Sequence, residues 1–328
     1  RAVVSWEGNQ PFRFYNLLSA QQSFLNEVLA GLAKSRKQIP AKFFYDRRGC
    51  ELFGAICELP EYYLTPTETA MMQQFSAEMV QLLGGGCLLI EFGSGASHKT
   101  RILLEHLRPP AYMPIDIACE QLRASSRELA QAFPGMQVVA VCADYSEPIS
   151  LPEFVVPELK RKVMYFSGST IGNFTQAETV VFLKRSLLVV GPGGAMLVGV
   201  DLKKPRAQLD SAYNDSRGVT AEFNLNLLAR INRELKGDFR LENFRHRAFY
   251  NEKEGRIEMH LESLVAQQAT IQGRRFDFGA GETIHTENSY KYSVGEFQQL
   301  ARQAGFEPLR AWTDAQHLFS VHYLSVGS

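Results

Sequence analysis

Between residues 87 and 203 the chain alternates short apolar runs with segments in which apolar residues recur every three to four positions. The short runs, bounded by turn residues, predict buried strands, and the longer period predicts amphipathic helices. The predicted strands lie at about 87–92, 112–117, 137–143, 162–166 and 195–200, and the clearest helices lie at about 120–133 and 176–190. Strands that alternate with helices predict a parallel sheet with helices on both faces.

The N-terminal segment has a different pattern. Residues 1–18 are aromatic and show no regular period, so no element is predicted there. Apolar spacing predicts a helix at about 21–34. A second helix is predicted to begin at Thr65, because Thr65, Pro66 and Glu68 supply an N-cap, a proline in the first turn and a capping-box acid.

The alternation stops again after residue 204. A helical pattern at about 207–235 precedes alternating strands at about 243–250, 256–268 and 282–287. The alternation of helix and strand seen in residues 87–203 then resumes, with a helix at about 294–304 and two further strands. We therefore predict one domain formed by residues 64–204 and 291–328. Residues 1–63 and 205–290 are predicted to form a smaller α+β lobe.

The balance of charges restricts which kinds of binding partner are expected. The 328 residues include 35 Lys and Arg against 35 Asp and Glu, and no long run of one sign occurs. Neither nucleic acid nor an anionic membrane surface is therefore expected as the main partner. No apolar run reaches the roughly 18–20 residues of a membrane span, and the first residues lack a signal-peptide pattern. We expect a cytoplasmic protein.

The cysteines and histidines give no sign of a metal site. Five cysteines occur without a C-x-x-C pair, and the seven histidines include no H-E-x-x-H motif. An odd number of cysteines in or beside apolar segments favours free thiols in a reducing compartment over disulfides. The cysteines are Cys50, Cys57, Cys87, Cys119 and Cys142.

The segment Glu91-Phe-Gly-Ser-Gly95 joins the first predicted strand to a helix that Ser97 is placed to cap. Glycines in such a turn let backbone amides approach a ligand closely. Asp116 lies at the end of the second strand and Asp144 follows the third, at the edge of the sheet where ligands of this fold bind. An acid at the end of the second strand suits the ribose of a nucleoside. His98 occupies the position of the third glycine of a dinucleotide fingerprint, which argues against NAD.

The motif E-x-G-x-G at Glu91 resembles the first motif of the class I methyltransferases that use S-adenosylmethionine (SAM). The Gly305-Phe-Glu-Pro308 segment before the last strands resembles their ending. This resemblance implies a Rossmann-like, mostly parallel sheet with an antiparallel last strand.

Three segments resemble a narrower family, the histidine-specific Nα-methyltransferases of ergothioneine biosynthesis. They are Leu59-Pro-Glu-Tyr-Tyr63, Gly168-Ser-Thr-Ile-Gly-Asn173 and Thr286-Glu-Asn-Ser289. The resemblance covers nearly the whole chain. It implies three methyl transfers from SAM to the α-amino group of L-histidine, which yield hercynine and S-adenosylhomocysteine, and it makes the inserted lobe the substrate-binding part.

The resemblance also implies roles for individual residues around the substrate. Asn173 and Tyr213 would hold the carboxylate, and Tyr45 and Gly168 would line the amine with Phe53 nearby. The ring face of Phe53 would attract the growing quaternary ammonium. Tyr45, directly or through water, is the candidate proton acceptor. The imidazole would be recognised by Tyr62, Glu287 and Ser289, with Met259 flanking the ring.

For SAM, the resemblance places Gly93, Ser94 and Gly95 against the methionine portion. Lys99 would pair with its carboxylate, Asp116 would bind the ribose, and Asp144 with Tyr145 would frame the adenine. We expect a monomer that needs neither a metal nor an obligate protein partner. The alternatives are a methyltransferase of the same fold for another amino acid such as tryptophan, a SAM-binding protein without activity, and an NAD oxidoreductase.

Overall fold

The structure, a computed structural model, describes residues 3–6, 12–18, 22–95, 98–153 and 159–327. The chain divides into two compact units. The first unit comprises Arg1–Leu18, Leu64–Lys203 and Lys291–Ser328, and the second comprises Ser19–Tyr63 and Lys204–Tyr290. None of the helices in the described part of the chain combines the length and apolar character that crossing a bilayer requires.

The helices follow the predicted positions closely between residues 119 and 190. In chain order, the α-helices of the described residues are α1 (Gln22–Leu32), α2 (Arg47–Cys57), α3 (Leu64–Leu83), α4 (His98–Leu107), α5 (Cys119–Ala132), α6 (Gln176–Val190), α7 (Arg206–Ala212), α8 (Val219–Leu235) and α9 (Val294–Gln303). Helix α6 begins as predicted. The hydroxyl of Thr175 accepts the amide of Glu178, whose carboxylate accepts the amide of Thr175 in return.

The strands are distributed over both units. In chain order they are β1 (Val3–Trp6), β2 (Phe12–Asn16), β3 (Cys87–Phe92), β4 (Ala111–Asp116), β5 (Gln137–Cys142), β6 (Arg161–Phe166), β7 (Ala195–Asp201), β8 (Phe244–Asn251), β9 (Arg256–Ser263), β10 (Gln267–Ile271), β11 (Arg274–Phe278), β12 (Thr283–Tyr290), β13 (Glu307–Thr313) and β14 (Phe319–Ser325).

A single sheet forms the centre of the first unit, with the strand order β1-β2-β5-β4-β3-β6-β7-β14-β13. Strands β2 to β7 pair in parallel, whereas β14 runs antiparallel to both β7 and β13. Every residue of β3 and β7 is buried, as expected for strands covered on both faces. The predicted strands β3 to β7 and the antiparallel last strand are confirmed.

The prediction that residues 1–18 carry no element and belong to the lobe is wrong. Strand β2 pairs in parallel with β5 and extends the sheet of the first unit, and β1 pairs with β2. Phe12 and Phe14 are buried while the residues between and after them are not. This is the period of two of a half-buried strand, over a stretch too short to stand out beside so many aromatic residues.

The second unit contains a three-stranded antiparallel sheet in the order β12-β9-β8 and a separate hairpin of β10 and β11. The predicted single strand at 256–268 is therefore wrong, because the chain leaves the sheet after Ser263 and starts β10 at Gln267. Gln272 and Gly273 both have positive φ, of 48° and 82°, as the two-residue turn of a tight hairpin requires. The predicted helix at 207–235 is two helices, α7 and α8.

The prediction of free thiols is wrong for two of the cysteines. Cys119 and Cys142 form a disulfide, with their Cα atoms 5.2 Å apart. Cys119 opens α5, and Cys142 ends β5 opposite Asp116 in the neighbouring strand. The pairing of β4 with β5 therefore brings together two cysteines that the sequence separates by 23 positions.

Candidate active site

The glycine turn lies at the carboxyl end of β3. Gly93 and Gly95 have φ values of 65° and 51°, in the left-handed region that favours glycine. The Gly93 amide donates to the carbonyl of Ile115 at 2.8 Å, and the Gly95 amide donates to Oδ2 of Asp116 at 3.0 Å. These bonds fix the turn to the end of β4. The predicted cap Ser97 lies outside the described residues.

The turn leaves room and hydrogen-bonding capacity for a ligand. A Cβ atom added to Gly95 would meet no heavy atom of the described residues beyond its chain neighbours within 4 Å, so they leave the space beside this backbone open. The Oγ of Ser94 is buried without a hydrogen-bond partner among the described residues. A buried hydroxyl without a partner is costly, so this turn fits a ligand with a polar group.

Acidic and aromatic side chains surround the turn. Asp116 accepts the amide of Ala118 through Oδ1 at 2.9 Å, and burial raises the pKa of its carboxyl although backbone hydrogen bonds oppose the rise. Asp144 accepts both the amide and the hydroxyl of Ser146, at 2.9 and 2.5 Å. The Tyr145 hydroxyl would lie 3.6 Å from a Cβ atom at Gly93. The turn, Asp116 and Tyr145 thus form one polar and aromatic surface, which suits a nucleoside.

Tyr145 belongs to an aromatic cluster beneath this surface. Its ring centroid lies 5.4 Å from that of Phe92 and 5.7 Å from that of Phe166. Burial raises the pKa of its hydroxyl, so Tyr145 stays neutral at physiological pH. A neutral ring packed in this way offers a fixed, flat contact for an aromatic base.

Lys99 has a protein carboxylate as its partner. Its Nζ lies 2.6 Å from Oε1 of Glu68, and the same oxygen accepts the Gly168 amide at 2.8 Å. Glu68 is fully buried. The start of α3 at Leu64 agrees with the predicted start to within one residue. The predicted capping role of Glu68 is wrong, because Glu68 bonds α4 and the end of β6 instead. The sequence offered no signal for this pairing, because the two residues are 31 positions apart.

Glu91, the last acid before the turn, also has a structural role. Its carboxylate is buried and accepts hydrogen bonds from the hydroxyls of Thr100 and Tyr112. Thr100 lies in the first turns of α4 and Tyr112 in β4, so Glu91 holds both elements beside the turn. Burial raises the pKa of the Glu91 carboxyl to about 7, although the two hydroxyl donors oppose the rise.

The raised pKa of Glu91 predicts a pH-dependent stability. The unfolded value is 4.5, so the folded state binds more protons between pH 4.5 and 7 and the free energy of unfolding falls as the pH rises through that window. Relative to Glu91→Gln, whose side chain does not titrate, we expect wild type to lose about 3 kcal/mol across the window. Urea denaturation at several pH values measures the free energy of unfolding of both proteins. If that free energy changed with pH in parallel in the two proteins, the prediction would be contradicted.

In the second unit, several of the predicted substrate residues lie together. The Tyr213 hydroxyl donates to Oγ of Ser289 at 3.1 Å, and the ring of Tyr62 meets that of Tyr213 edge-on, 6.0 Å between centroids. The pKa of Tyr62 is raised first by burial and then by the proximity of Tyr213, Glu287 and Tyr45. Polar groups from separate elements thus converge on a buried position.

Strand β12 supplies two of these groups. Glu287 is paired with Met259 of β9, and Ser289 lies two residues further on the same strand. Residues two apart in a strand point to the same face, so Glu287 and Ser289 project together. The ladder is irregular between His285 and Glu287, where Thr286 has no partner in the register. The local sequence pattern does not predict this irregularity.

Tyr45 and Phe53 lie in an aromatic group of the same unit. Their ring centroids are 5.8 Å apart in an edge-to-face arrangement. Phe223 of α8 completes the group, at 5.9 Å from Tyr45 and 6.0 Å from Phe53. The predicted site did not include Phe223.

The remaining two predicted substrate residues belong to the first unit. Gly168 follows β6 with a φ of 75°, and Asn173 ends a short 3-10 helix at Thr170–Asn173 and is half-buried. Both therefore lie beyond the carboxyl end of β6. Open α/β sheets bind their ligands at this edge.

One group of potential metal ligands was not expected from the sequence. Glu258, His260 and His285 bring their donor atoms within 4.8 Å of one another. Arg256 donates to Oε2 of Glu258 at 3.0 Å, and this neighbouring positive charge opposes a second cation. The two imidazole rings are stacked with an angle of 19° between them, so one ion would not lie in both ring planes. We therefore assign no metal to this group.

The parallel sheet with an antiparallel last strand, the open glycine turn and the acid at the end of β4 define a class I SAM-dependent methyltransferase. Ser94 and Asp116 fit the polar and ribose portions of SAM, and the packed ring of Tyr145 fits its adenine. More narrowly, the chain belongs to the family of SAM-dependent histidine-specific methyltransferases, which it matches over residues 24–326.

Several curated relatives resemble the chain over most of its length. A histidine N-α-methyltransferase of Mycolicibacterium smegmatis is 39% identical over 302 residues, which are 90% of this chain and 92% of the relative. An ergothioneine biosynthesis protein 1 of Neurospora crassa is 32% identical, over 88% of this chain but 33% of the relative. A 4-dimethylallyltryptophan N-methyltransferase of Aspergillus fumigatus is 25% identical, over 89% of this chain and 91% of the relative.

Proposed function

We propose that the chain transfers methyl groups from SAM to the α-amino group of L-histidine, three times, and so forms hercynine for ergothioneine biosynthesis. The observation that carries the proposal is the group formed by Tyr62, Tyr213 and Ser289 with Glu287 nearby. A buried set of hydroxyls beside a carboxylate suits a substrate with its own polar ring, whereas an apolar side chain could form no hydrogen bond to these groups.

In the first unit, we assign the cofactor to the surface around the glycine turn. When bound, SAM supplies a methyl group from its positively charged sulfur, and the rest of the molecule leaves as a neutral thioether. Gly93, Ser94 and Gly95 are proposed to line its methionine portion and Asp116 to accept its ribose hydroxyls. Lys99 is proposed to meet its carboxylate, and Asp144 with Tyr145 its adenine.

The substrate roles follow the chemistry of each group. Asn173 and Tyr213 are proposed to donate to the carboxylate of histidine, because an amide and a phenol add no charge that would compete with the amine. Glu287 and Ser289 are proposed to bond the ring nitrogens. Tyr62 and Met259 are proposed to complete the imidazole-binding group.

The amine must lose its proton before each transfer. An α-amine titrates near 8 in peptides, so a site that favours the neutral form raises the reactive fraction at physiological pH. Tyr45 is proposed to accept the proton, directly or through water. The ring of Phe53 is proposed to stabilise the methylated ammonium by a cation–π contact.

Mass spectrometry after incubation with SAM and each of the twenty amino acids tests the function. We expect trimethylhistidine as the dominant product. A dominant methylated product of another amino acid would contradict the proposal, and methylated tryptophan would favour the alternative that one relative at 25% identity represents. Absence of any product, with SAM bound, would instead indicate a binding protein without activity.

Glu287→Ala tests the recognition of the imidazole. Loss of a hydrogen bond from a charged group costs about 1.5–3 kcal/mol, so we expect kcat/KM for L-histidine to fall by about 10- to 150-fold. Glu254→Ala, an exposed acid in the turn between β8 and β9, is the matched control and should retain wild-type kinetics. Unchanged turnover of histidine by Glu287→Ala would remove the basis for assigning histidine as the substrate.

We further infer a monomeric, cytoplasmic enzyme that acts on free L-histidine without nucleic acid, a membrane or an obligate protein partner. The equal numbers of basic and acidic residues support the absence of a polyanionic partner. Size-exclusion chromatography with light scattering tests the monomer, and fractionation of producing cells tests the location. A stable dimer or a membrane-bound fraction would contradict the respective statement.

A further inference from the structure

A buried asparagine of α8 joins three strands of the second unit. The side chain of Asn224 is fully buried. Its Nδ2 donates to the carbonyl of His260 in β9 at 3.0 Å and to Nδ1 of His246 in β8 at 2.9 Å. Its Oδ1 accepts the hydroxyl of Thr286 in β12 at 2.8 Å. Both amide hydrogens and the amide oxygen are therefore used.

The imidazole of His246 continues this network to Tyr213. Its Nε2 lies 2.8 Å from the carbonyl oxygen of Tyr213. A carbonyl only accepts, so Nε2 carries the hydrogen and Nδ1 must accept from Asn224. This arrangement requires the neutral ring. Burial lowers the pKa of His246, although the Tyr213 carbonyl and the charge of Asp215 oppose the shift.

The hydroxyl of Thr286 carries the network to the other substrate residues. The carbonyl oxygen of Met259 lies 3.1 Å from the same hydroxyl and shares its single hydrogen with Oδ1 of Asn224. Thr286 lies within the irregular part of the β12 ladder, directly before Glu287. The hydrogen bonds of Asn224, His246 and Thr286 therefore end at the backbone of Tyr213 on one side. On the other side they end at the backbone that carries Met259 and Glu287.

We propose that Asn224 and His246 are positioning residues that hold Tyr213 and β12 in the arrangement that binds histidine. The inference deepens the proposed function and rests on it. Neither side chain need touch the substrate. The amide of Asn224 and the imidazole of His246 hydrogen-bond to each other and to the backbone of the second unit. These bonds keep Tyr213, Glu287 and Ser289 in fixed relative positions.

Loss of this network should weaken substrate binding and leave the cofactor unaffected. An error of about 1 Å in the position of a substrate-binding group can cost about 100-fold in rate. All the residues in the network belong to the second unit, whereas the proposed SAM contacts belong to the first. The expected signature is a higher KM for histidine with an unchanged dissociation constant for SAM.

His246→Phe and His246→Gln form a matched pair for the test. Phenylalanine retains a flat ring but removes both hydrogen bonds, whereas glutamine retains one donor and one acceptor. We expect His246→Phe to raise KM for L-histidine by about 10- to 100-fold and His246→Gln to recover most of the loss. The control is His106→Phe, the same change at an exposed histidine that bonds a carbonyl of its own helix.

Three readouts separate positioning from general destabilisation. Steady-state kinetics at saturating SAM give KM and kcat, calorimetry gives the dissociation constant for SAM, and circular dichroism gives the melting temperature. A double-mutant cycle adds Tyr213→Phe. If His246 acts through Tyr213, the double variant should be only slightly worse than Tyr213→Phe alone, because the two changes then remove one arrangement.

Other outcomes would overturn the inference. These are an unchanged KM for histidine in His246→Phe, failure of His246→Gln to improve on it, or fully additive losses in the cycle.

If His246→Phe does not fold, Asn224→Asp is used instead. It keeps the side-chain size but replaces the donors of Asn224, and a wild-type KM in that variant would also overturn the inference. A wild-type chain that methylates no histidine would overturn both this inference and the proposed function, whereas normal hercynine synthesis with an unaffected KM in the variants would overturn only this one.

Discussion

Asp201→Ala is expected to lower the free energy of unfolding by about 3–5 kcal/mol, because it leaves a buried ammonium without its carboxylate. Asp201 ends β7, and its Oδ2 lies 2.7 Å from Nζ of Lys291. Both side chains are completely buried. The backbone amide of Asp201 also donates to Oγ of Ser169 at 2.8 Å, so a shift at Asp201 reaches the segment after β6.

Urea denaturation followed by tryptophan fluorescence measures this loss, since Trp312 is buried in β13 of the same sheet. The control replaces both partners, as Asp201→Leu with Lys291→Met. Replacing a buried pair by apolar residues of similar size is often neutral or stabilising, so the double variant should be markedly more stable than Asp201→Ala. A loss below about 1 kcal/mol in Asp201→Ala would contradict the account, since that is the range of exposed ion pairs.

Glu68→Ala is the second change with a large expected effect, of about 3–5 kcal/mol in the free energy of unfolding. The carboxylate of Glu68 is fully buried, and the Lys99 side chain it pairs with is 11% exposed. The same change removes the acceptor of the Gly168 amide. Because Gly168 is proposed to line the amine of the substrate, we also expect kcat to fall beyond what the loss of folded protein explains.

Glu68→Gln separates the two effects. The glutamine oxygen can still accept the Gly168 amide, whereas the negative charge opposite Lys99 is lost. We therefore expect Glu68→Gln to lose stability but to retain more activity per folded molecule than Glu68→Ala. Gln74→Ala, at an exposed position of the same helix, is the control and should match wild type in both assays. Equal specific activity in all three variants would show that Glu68 does not position Gly168.

Local patterns were sufficient for much of the fold. The strands from β3 to β7 and the start of α6 near residue 176 are encoded in neighbouring residues, and the structure has them where they were predicted. The period of apolar residues reports which face of an element is buried. It does not report which element covers that face or which strand pairs along an edge, so the place of β2 beside β5 could not be read from the sequence.

The same limit applies to the candidate site. The glycine turn and the acids after β4 and β5 could be identified because each occupies a fixed place in a strand–turn–helix unit. The motifs that resemble histidine-specific methyltransferases identified Tyr213, Glu287 and Ser289 as substrate residues. The family to which the chain belongs agrees with that resemblance, and the individual roles remain predictions for the variants above to test.

The sequence by itself therefore determined the class of fold, the glycine turn and the family, because these depend on short patterns of neighbouring residues. Only the tertiary structure decided which side chains support them. Glu68 meets Gly168 across 100 positions, and Asn224 meets Thr286 across 62. The Cys119–Cys142 disulfide likewise depends on the pairing of β4 with β5. The physical reason is that a buried polar group must find a partner in space, and no local period or spacing records where that partner lies in the chain.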